Sequence, residues 1–138
     1  DLAIGSRHDF DPCVTVSNII ERKLKSSIFN YIVKTSVLSD FNDTQCGFKL
    51  FVKEIAQKLF SAQKLAGYGF DVEILYLAIK SGFKCKEVAI NWKYTPTSKV
   101  RLIDDSIKIV KEILQIKEIH KNTFMDNRIM PSKQAIVI

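Results

Sequence analysis

No run of apolar residues in this 138-residue sequence approaches the ~20 that a helix needs to cross a bilayer. No basic-then-apolar opening segment resembles a secretory signal. Cysteine is sparse: Cys13, Cys46 and Cys85 are scattered, without a CxxC pair. An odd count at such spacings argues against a disulfide framework and against a zinc site, so free thiols are expected. The two histidines, His8 and His120, stand apart from each other and from the cysteines, and neither is expected to be a metal ligand. Internal repeats and low-complexity stretches are also absent.

What remains has the balance of an ordinary globular chain, 46% hydrophobic and 26% charged, with the length of one domain. The first residue is Asp1, and an apolar stretch follows at once. A segment of a longer protein is therefore expected. The net charge of +6 is unevenly placed: residues 1–79 hold nine basic and nine acidic side chains, whereas residues 80–138 hold twelve and six. The basic half suits phosphates, anionic lipid headgroups or nucleic acid, although a solvated lysine-rich surface has the same composition.

Local patterns sketch an α/β chain. Leu2-Ala3-Ile4 ending at Gly5 predicts a short buried strand. Asn18 to Leu38 has helical spacing through Ile20, Leu24, Ile28, Ile32, Phe29 and Val33. Ser39 to Asp43 is a polar loop, Gln45 to Phe51 a strand or tight turn, and Ile55, Leu59 and Phe60 mark a short helix. Phe70 to Ser81 predicts a helix with Phe70, Ile74, Leu77 and Ala78 inward and Gly82 at its C-terminal cap. Lys84 to Trp92 alternates as a half-exposed strand, with Cys85, Val88, Ile90 and Trp92 on its apolar side. Leu102 to Ile119 predicts an amphipathic helix whose core face is Ile103, Ile107, Val110 and Leu114. The remainder, 122–138, has no period and is expected to be an irregular tail after a unit spanning 1–121. Two or three strands make a small sheet, too few for a complete doubly wound domain.

Four motifs carry more than pattern. Asp1-Leu2-Ala3-Ile4-Gly5-Ser6-Arg7, Asp43-Thr44-Gln45-Cys46-Gly47-Phe48-Lys49-Leu50-Phe51, Gly69-Phe70-Asp71-Val72-Glu73-Ile74-Leu75, and Glu87-Val88-Ala89-Ile90-Asn91-Trp92 with Ser98-Lys99-Val100 occur in that order. Together they resemble the family-2, GT-A-type glycosyltransferases that glucosylate dolichyl phosphate, over residues 1 to about 118. The resemblance implies the C-terminal portion of a GT-A fold, a small mixed sheet with flanking helices, incomplete without an N-terminal half.

The residues have their own chemistry beside that resemblance. Ser6 and Arg7 follow a strand, and ligands of α/β folds gather at carboxyl ends of strands. A guanidinium fork suits phosphate oxygens, or else a nearby carboxylate such as Asp9. Asp43 in a loop can cap its own turn. The resemblance instead implies a catalytic place beside the acceptor, where it positions and stabilises charge. A phosphate acceptor is already ionised near neutral pH and has little need of a strong base. Gln45, Lys49, Asp71, Ser98 and Lys99 are the further candidates for substrate and phosphate contacts. Carboxylates such as Asp71 and Glu73 also suit the first turn of any helix. Gly47 is expected to permit close backbone approach, and Phe48 and Phe51 to be core.

The resemblance further implies Mg²⁺ or Mn²⁺ on an Asp-x-Asp motif about thirty residues before the Gly-Ser-Arg strand, a hard-oxygen site that lies outside this sequence. Asp9-Phe10-Asp11 has the letters in the wrong place, so no metal ligand is assigned. The implied reaction is inverting transfer of a hexose, glucose by the resemblance, from a nucleotide sugar to a polyprenyl phosphate. The implied place is the cytoplasmic face of an anionic membrane surface, as a peripheral protein, or the cytoplasm for a segment alone. A segment lacking the donor half is expected to be inactive alone. The alternative is a non-catalytic module binding lipid phosphate or protein. Nucleic acid is not expected, because the aromatics are not interleaved with basic residues as a stacking surface requires.

Overall fold

The computed structural model describes residues 1–7, 30–67, 69–91, 104–123 and 134–137. Its strands are β1 (Leu2–Ser6), β2 (Lys49–Val52), β3 (Cys85–Ala89) and β4 (Ala135–Val137). Its helices are α1 (residues 30–36), α2 (Lys53–Ala62), α3 (Phe70–Lys80) and α4 (Asp104–Ile119). The four strands form one mixed sheet in the order β3-β1-β2-β4. β1 is parallel to β3 and antiparallel to β2, and β2 is antiparallel to β4. This small mixed sheet with flanking helices is an α/β architecture consistent with part of a GT-A fold.

Strand periodicity sets the core. Leu2 and Ile4 on β1 and Phe51 on β2 turn inward, where they join Ile55 and Leu59 of α2, Ile74, Leu75 and Leu77 of α3, and Ile113 and Ile116 of α4 in one cluster. Each such side chain contributes roughly 1.5–3 kcal/mol on burial. α3 is the central helix: Val72, Glu73, Ile74, Leu75, Leu77 and Ala78 are all buried, so it is covered almost all round rather than along one stripe. It stops where expected, because Gly82 takes φ 75°, a left-handed conformation that costs glycine nothing. The loop before α3 packs tightly as well. A Cβ on Gly69 would lie 2.9 Å from the Cβ of Glu112, and the Gly69 N–H donates to Glu112 Oε2 at 2.9 Å.

Several expectations change here. The buried face of α4 is Ile109, Ile113 and Ile116, whereas Leu114 is 58% exposed and Val110 only half-buried. Both stripes have helical spacing, and contact with α3 selects the isoleucines. The side chains of Ile103 and Ile107 lie outside the described residues. Phe48, expected in the core, is 53% exposed, while Phe51 is buried. On β3 the alternation also differs: Val88 is exposed and Glu87 half-buried. The sheet has four strands, not two or three. The fourth comes from the stretch expected to be irregular: Ala135–Val137 pair with β2, Phe51 facing Ile136. Of the helix expected over Asn18 to Leu38, residues 30–36 are helical and the earlier part lies outside the described residues.

Candidate active site

The carboxyl end of β1 delivers Arg7 to a turn that begins at Asp43. The backbone N–H of Arg7 donates to Asp43 Oδ2 at 2.9 Å. Its side chain closes a fork on the same carboxylate, Nε to Oδ2 at 2.6 Å and Nη2 to Oδ1 at 2.7 Å. Bidentate geometry of this kind is the strong form of ion pair. Asp43 is only 2% exposed, whereas the Arg7 side chain keeps 30% of its surface. The guanidinium's pKa is raised above its ordinary value, chiefly by the hydrogen bonds to Asp43; burial opposes this, and the charge of Asp43 adds to it.

A second ion pair, between the start of β2 and the first turn of α3, lies beside this turn. Lys49 Nζ donates to Asp71 Oδ1 at 2.5 Å and to the Cys46 carbonyl at 2.6 Å. Lys49 is buried, so its ammonium holds the turn to the first turn of α3 and does not face solvent. Ser6 is also buried, and its carbonyl accepts the Ile90 N–H at 3.0 Å. Gln45 is half-buried within the turn. Gly47 has open space where a Cβ would stand. Thus Arg7, Asp43, Lys49, Asp71, Ser6 and Gln45 are brought to one end of the sheet. Ser98 and Lys99 lie outside the described residues, as do His8 and Cys13.

Two acidic residues that the sequence analysis did not choose as site candidates make dense networks of hydrogen bonds. Glu87, opposite Ile4 on β3, accepts the Asn42 N–H at 3.1 and 3.0 Å, the Asn42 side-chain amide at 3.2 Å and the Asp43 N–H at 2.8 Å. Its place in the fourth motif was the available signal. Glu73 is fully buried with His120, its Oε1 lying 2.5 Å from His120 Nε2. It also accepts the Lys64 N–H at 2.8 Å and the Leu65 N–H at 3.0 Å. His120 is isolated in sequence but not in space. Among the described residues no group of three or more His, Cys, Asp and Glu side chains could hold a metal ion. Asp43 and Asp71 each face a cation instead. No helix among them is long and apolar enough to cross a membrane.

The carboxyl end of a strand in this α/β sheet thus carries an arginine fork on a buried aspartate. The four motifs place it in a known setting. The chain is 38% identical over 120 residues to the dolichyl-phosphate beta-glucosyltransferase of Dictyostelium discoideum, a match covering 85% of this chain and 37% of that protein. The enzyme of the same name from Saccharomyces cerevisiae is 37% identical over 120 residues, 84% of this chain and 35% of the relative. The one from Homo sapiens is 32% identical over 116 residues, 84% and 36% respectively. No protein-family model and no solved structure matches the chain. The class is that of the family-2 glycosyltransferases. Within it, the chain belongs to the dolichyl-phosphate beta-glucosyltransferase family. It spans little more than a third of the length of these relatives.

Proposed function

We propose that this chain forms the acceptor side of an enzyme that transfers glucose from a nucleotide sugar to a polyprenyl phosphate of the dolichyl type. The observation that carries it is the Arg7–Asp43 fork, set in a chain whose relatives are named for that reaction. The step is a single displacement with inversion. An oxygen of the acceptor phosphate attacks the anomeric carbon as the bond to the nucleotide diphosphate breaks. The bonding electrons leave on the diphosphate, and no proton need be removed from an ionised phosphate.

In this mechanism Asp43 fixes the plane of the Arg7 guanidinium, and the exposed part of Arg7 takes the incoming phosphate. Pre-set donors of this kind stabilise charge without reorganising at the moment of reaction. Lys49 and Asp71 keep the turn in place. The divalent metal that the family resemblance implies finds no ligand set among the described residues.

The acceptor phosphate is tethered to a lipid, so this side of the enzyme works against a membrane surface. The described part of α4 supports that placement. Leu114 is exposed, and the exposed Lys111 and Lys117 lie one turn to either side of it. An apolar side chain between lysines suits an anionic interface. The test is transfer of labelled glucose to polyprenyl phosphate by the complete protein and by this chain alone. Transfer by the complete protein and none by the chain is expected. Binding of lipid phosphate by the complete protein without any transfer would overturn the reading in favour of a non-catalytic module.

A further inference from the structure

The turn that carries Asp43 is gripped at both ends from the same row of the sheet. Ile4 on β1 faces Lys49 on β2 and Glu87 on β3, so an acid and a base flank one buried isoleucine. Lys49 takes the far end of the turn, through the Cys46 carbonyl at 2.6 Å. Glu87 takes the near end, through the Asn42 and Asp43 N–H groups. Asn42 is in turn tied to α1: its side-chain oxygen accepts Lys34 Nζ at 2.7 Å, and its carbonyl accepts the Asn30 amide at 2.9 Å. The acid holds donors and the base holds an acceptor, each matching the polarity of the backbone it meets.

We infer that Glu87 is a positioning residue for sugar transfer, acting through the backbone of Asp43 on the Arg7 fork. It touches neither substrate nor the reacting atoms. A charge-assisted bond to a backbone N–H is roughly twice as strong as a neutral one. Here both carboxylate oxygens are engaged by backbone donors. Fixing the backbone at residue 43 fixes where Asp43 places its two oxygens, and hence the plane of the guanidinium. The inference rests on the reading under Proposed function, because the consequence for rate follows only if Arg7 receives the acceptor phosphate.

The experiment is a double-mutant cycle in the complete enzyme, with glucose transfer to polyprenyl phosphate as the assay. Glu87→Gln keeps the shape but turns one oxygen into a donor facing N–H groups. It should lower kcat by about 10- to 100-fold, since misplacement near 1 Å can cost about 10²-fold. KM for the nucleotide sugar should stay within about twofold. Glu87→Asp, which keeps the charge but draws it back, should fall between Glu87→Gln and wild type. In an Asp43→Asn background, Glu87→Gln should lose little further activity, because both changes act on one element. Multiplying effects in the cycle would overturn the inference, as would an unchanged rate for Glu87→Gln. Should Glu87→Gln fail to fold, the cycle is run with Glu87→Asp and judged by the same criterion. An inactive wild-type enzyme would instead overturn the proposed reaction. Exchange of the Asn42 and Asp43 amides then still tests the clamp: it should speed up on Glu87→Gln, and unchanged protection would overturn it.

Discussion

Replacing Glu73 tests how much of the fold hangs on one buried carboxylate. Glu73→Ala removes the partner of His120 and the acceptor for the Lys64 and Leu65 N–H groups. Both side chains are wholly out of contact with solvent, so water cannot replace what is lost without opening the core. Breaking a buried pair by deleting one partner costs about 3–5 kcal/mol. Each orphaned N–H costs roughly 1–3 kcal/mol within that range. Set against a typical stability of about 5–15 kcal/mol, the expected loss of about 3–5 kcal/mol leaves the chain marginal. With a urea m-value of about 1–3 kcal/mol/M, the midpoint should fall by more than about 1 M. The double variant Glu73→Leu with His120→Phe separates the terms. An apolar replacement of a buried pair is often neutral, but here the two loop N–H groups still lack an acceptor, so only part of the loss should return. A loss below about 1 kcal/mol for Glu73→Ala, or a double variant as stable as wild type, would refute the reasoning.

Three further outcomes are expected. Asp43→Asn in the complete enzyme should lower the transfer rate by about 10²–10³-fold with a much smaller effect on the urea midpoint; a near wild-type rate would remove Asp43 from the site. Burial pushes the Cys85 thiol up to about 11 from an ordinary 9.0. Alkylation monitored by mass spectrometry at pH 8 should therefore be roughly a hundredfold slower at Cys85 than at an exposed thiol, because the thiolate is the nucleophile. The sign for stability follows: the folded chain keeps a proton that the unfolded chain releases, so this contribution is complete below pH 9.0 and is lost as pH rises towards about 11. Finally, the chain should co-sediment weakly with vesicles containing phosphatidylserine and detach at high salt, with Leu114→Ser reducing binding further. Equal binding to neutral vesicles would refute the electrostatic part.

The elements legible in the sequence are those whose signals are local. β1 announced itself by an apolar run, and α3 by its spacing and by a glycine at the position that needs a positive φ. The face of α4 was not legible, since its sequence carries two apolar stripes at helical spacing. Only the packing against α3 decides that Ile109, Ile113 and Ile116 turn inward while Leu114 stays out. β4 is three residues long, too short for periodicity, and its partner is remote in sequence. Glu87 followed the rule that a charged residue in a half-exposed strand faces water. It turns towards the loop because two backbone N–H groups await it there. The candidate site was legible as a set of residues but not as pairs: the sequence marked Arg7, Asp43, Lys49 and Asp71 as phosphate or acceptor contacts. Arg7 pairs with Asp43 and Lys49 with Asp71, so the acids and bases first neutralise one another. Only Arg7 of the two cations also keeps a substantial exposed surface.

The way β4 joins the sheet bears on how the chain assembles as it is made. Lys53, just past β2, meets Gln134, just before β4, across 81 positions, and Asp1 meets Lys84 across 83. Such pairings close large loops before they gain any contact, which slows folding. Translation proceeds at about 5–20 residues per second, so β2 emerges many seconds before the strand that covers its edge. During that interval Phe51 and Lys53 present unpaired backbone on the edge that β4 later covers, a template for pairing with a neighbouring chain. The last few residues thus act as a cover for a vulnerable edge, and a chain ending before Ala135 should aggregate more readily during refolding than one that keeps them.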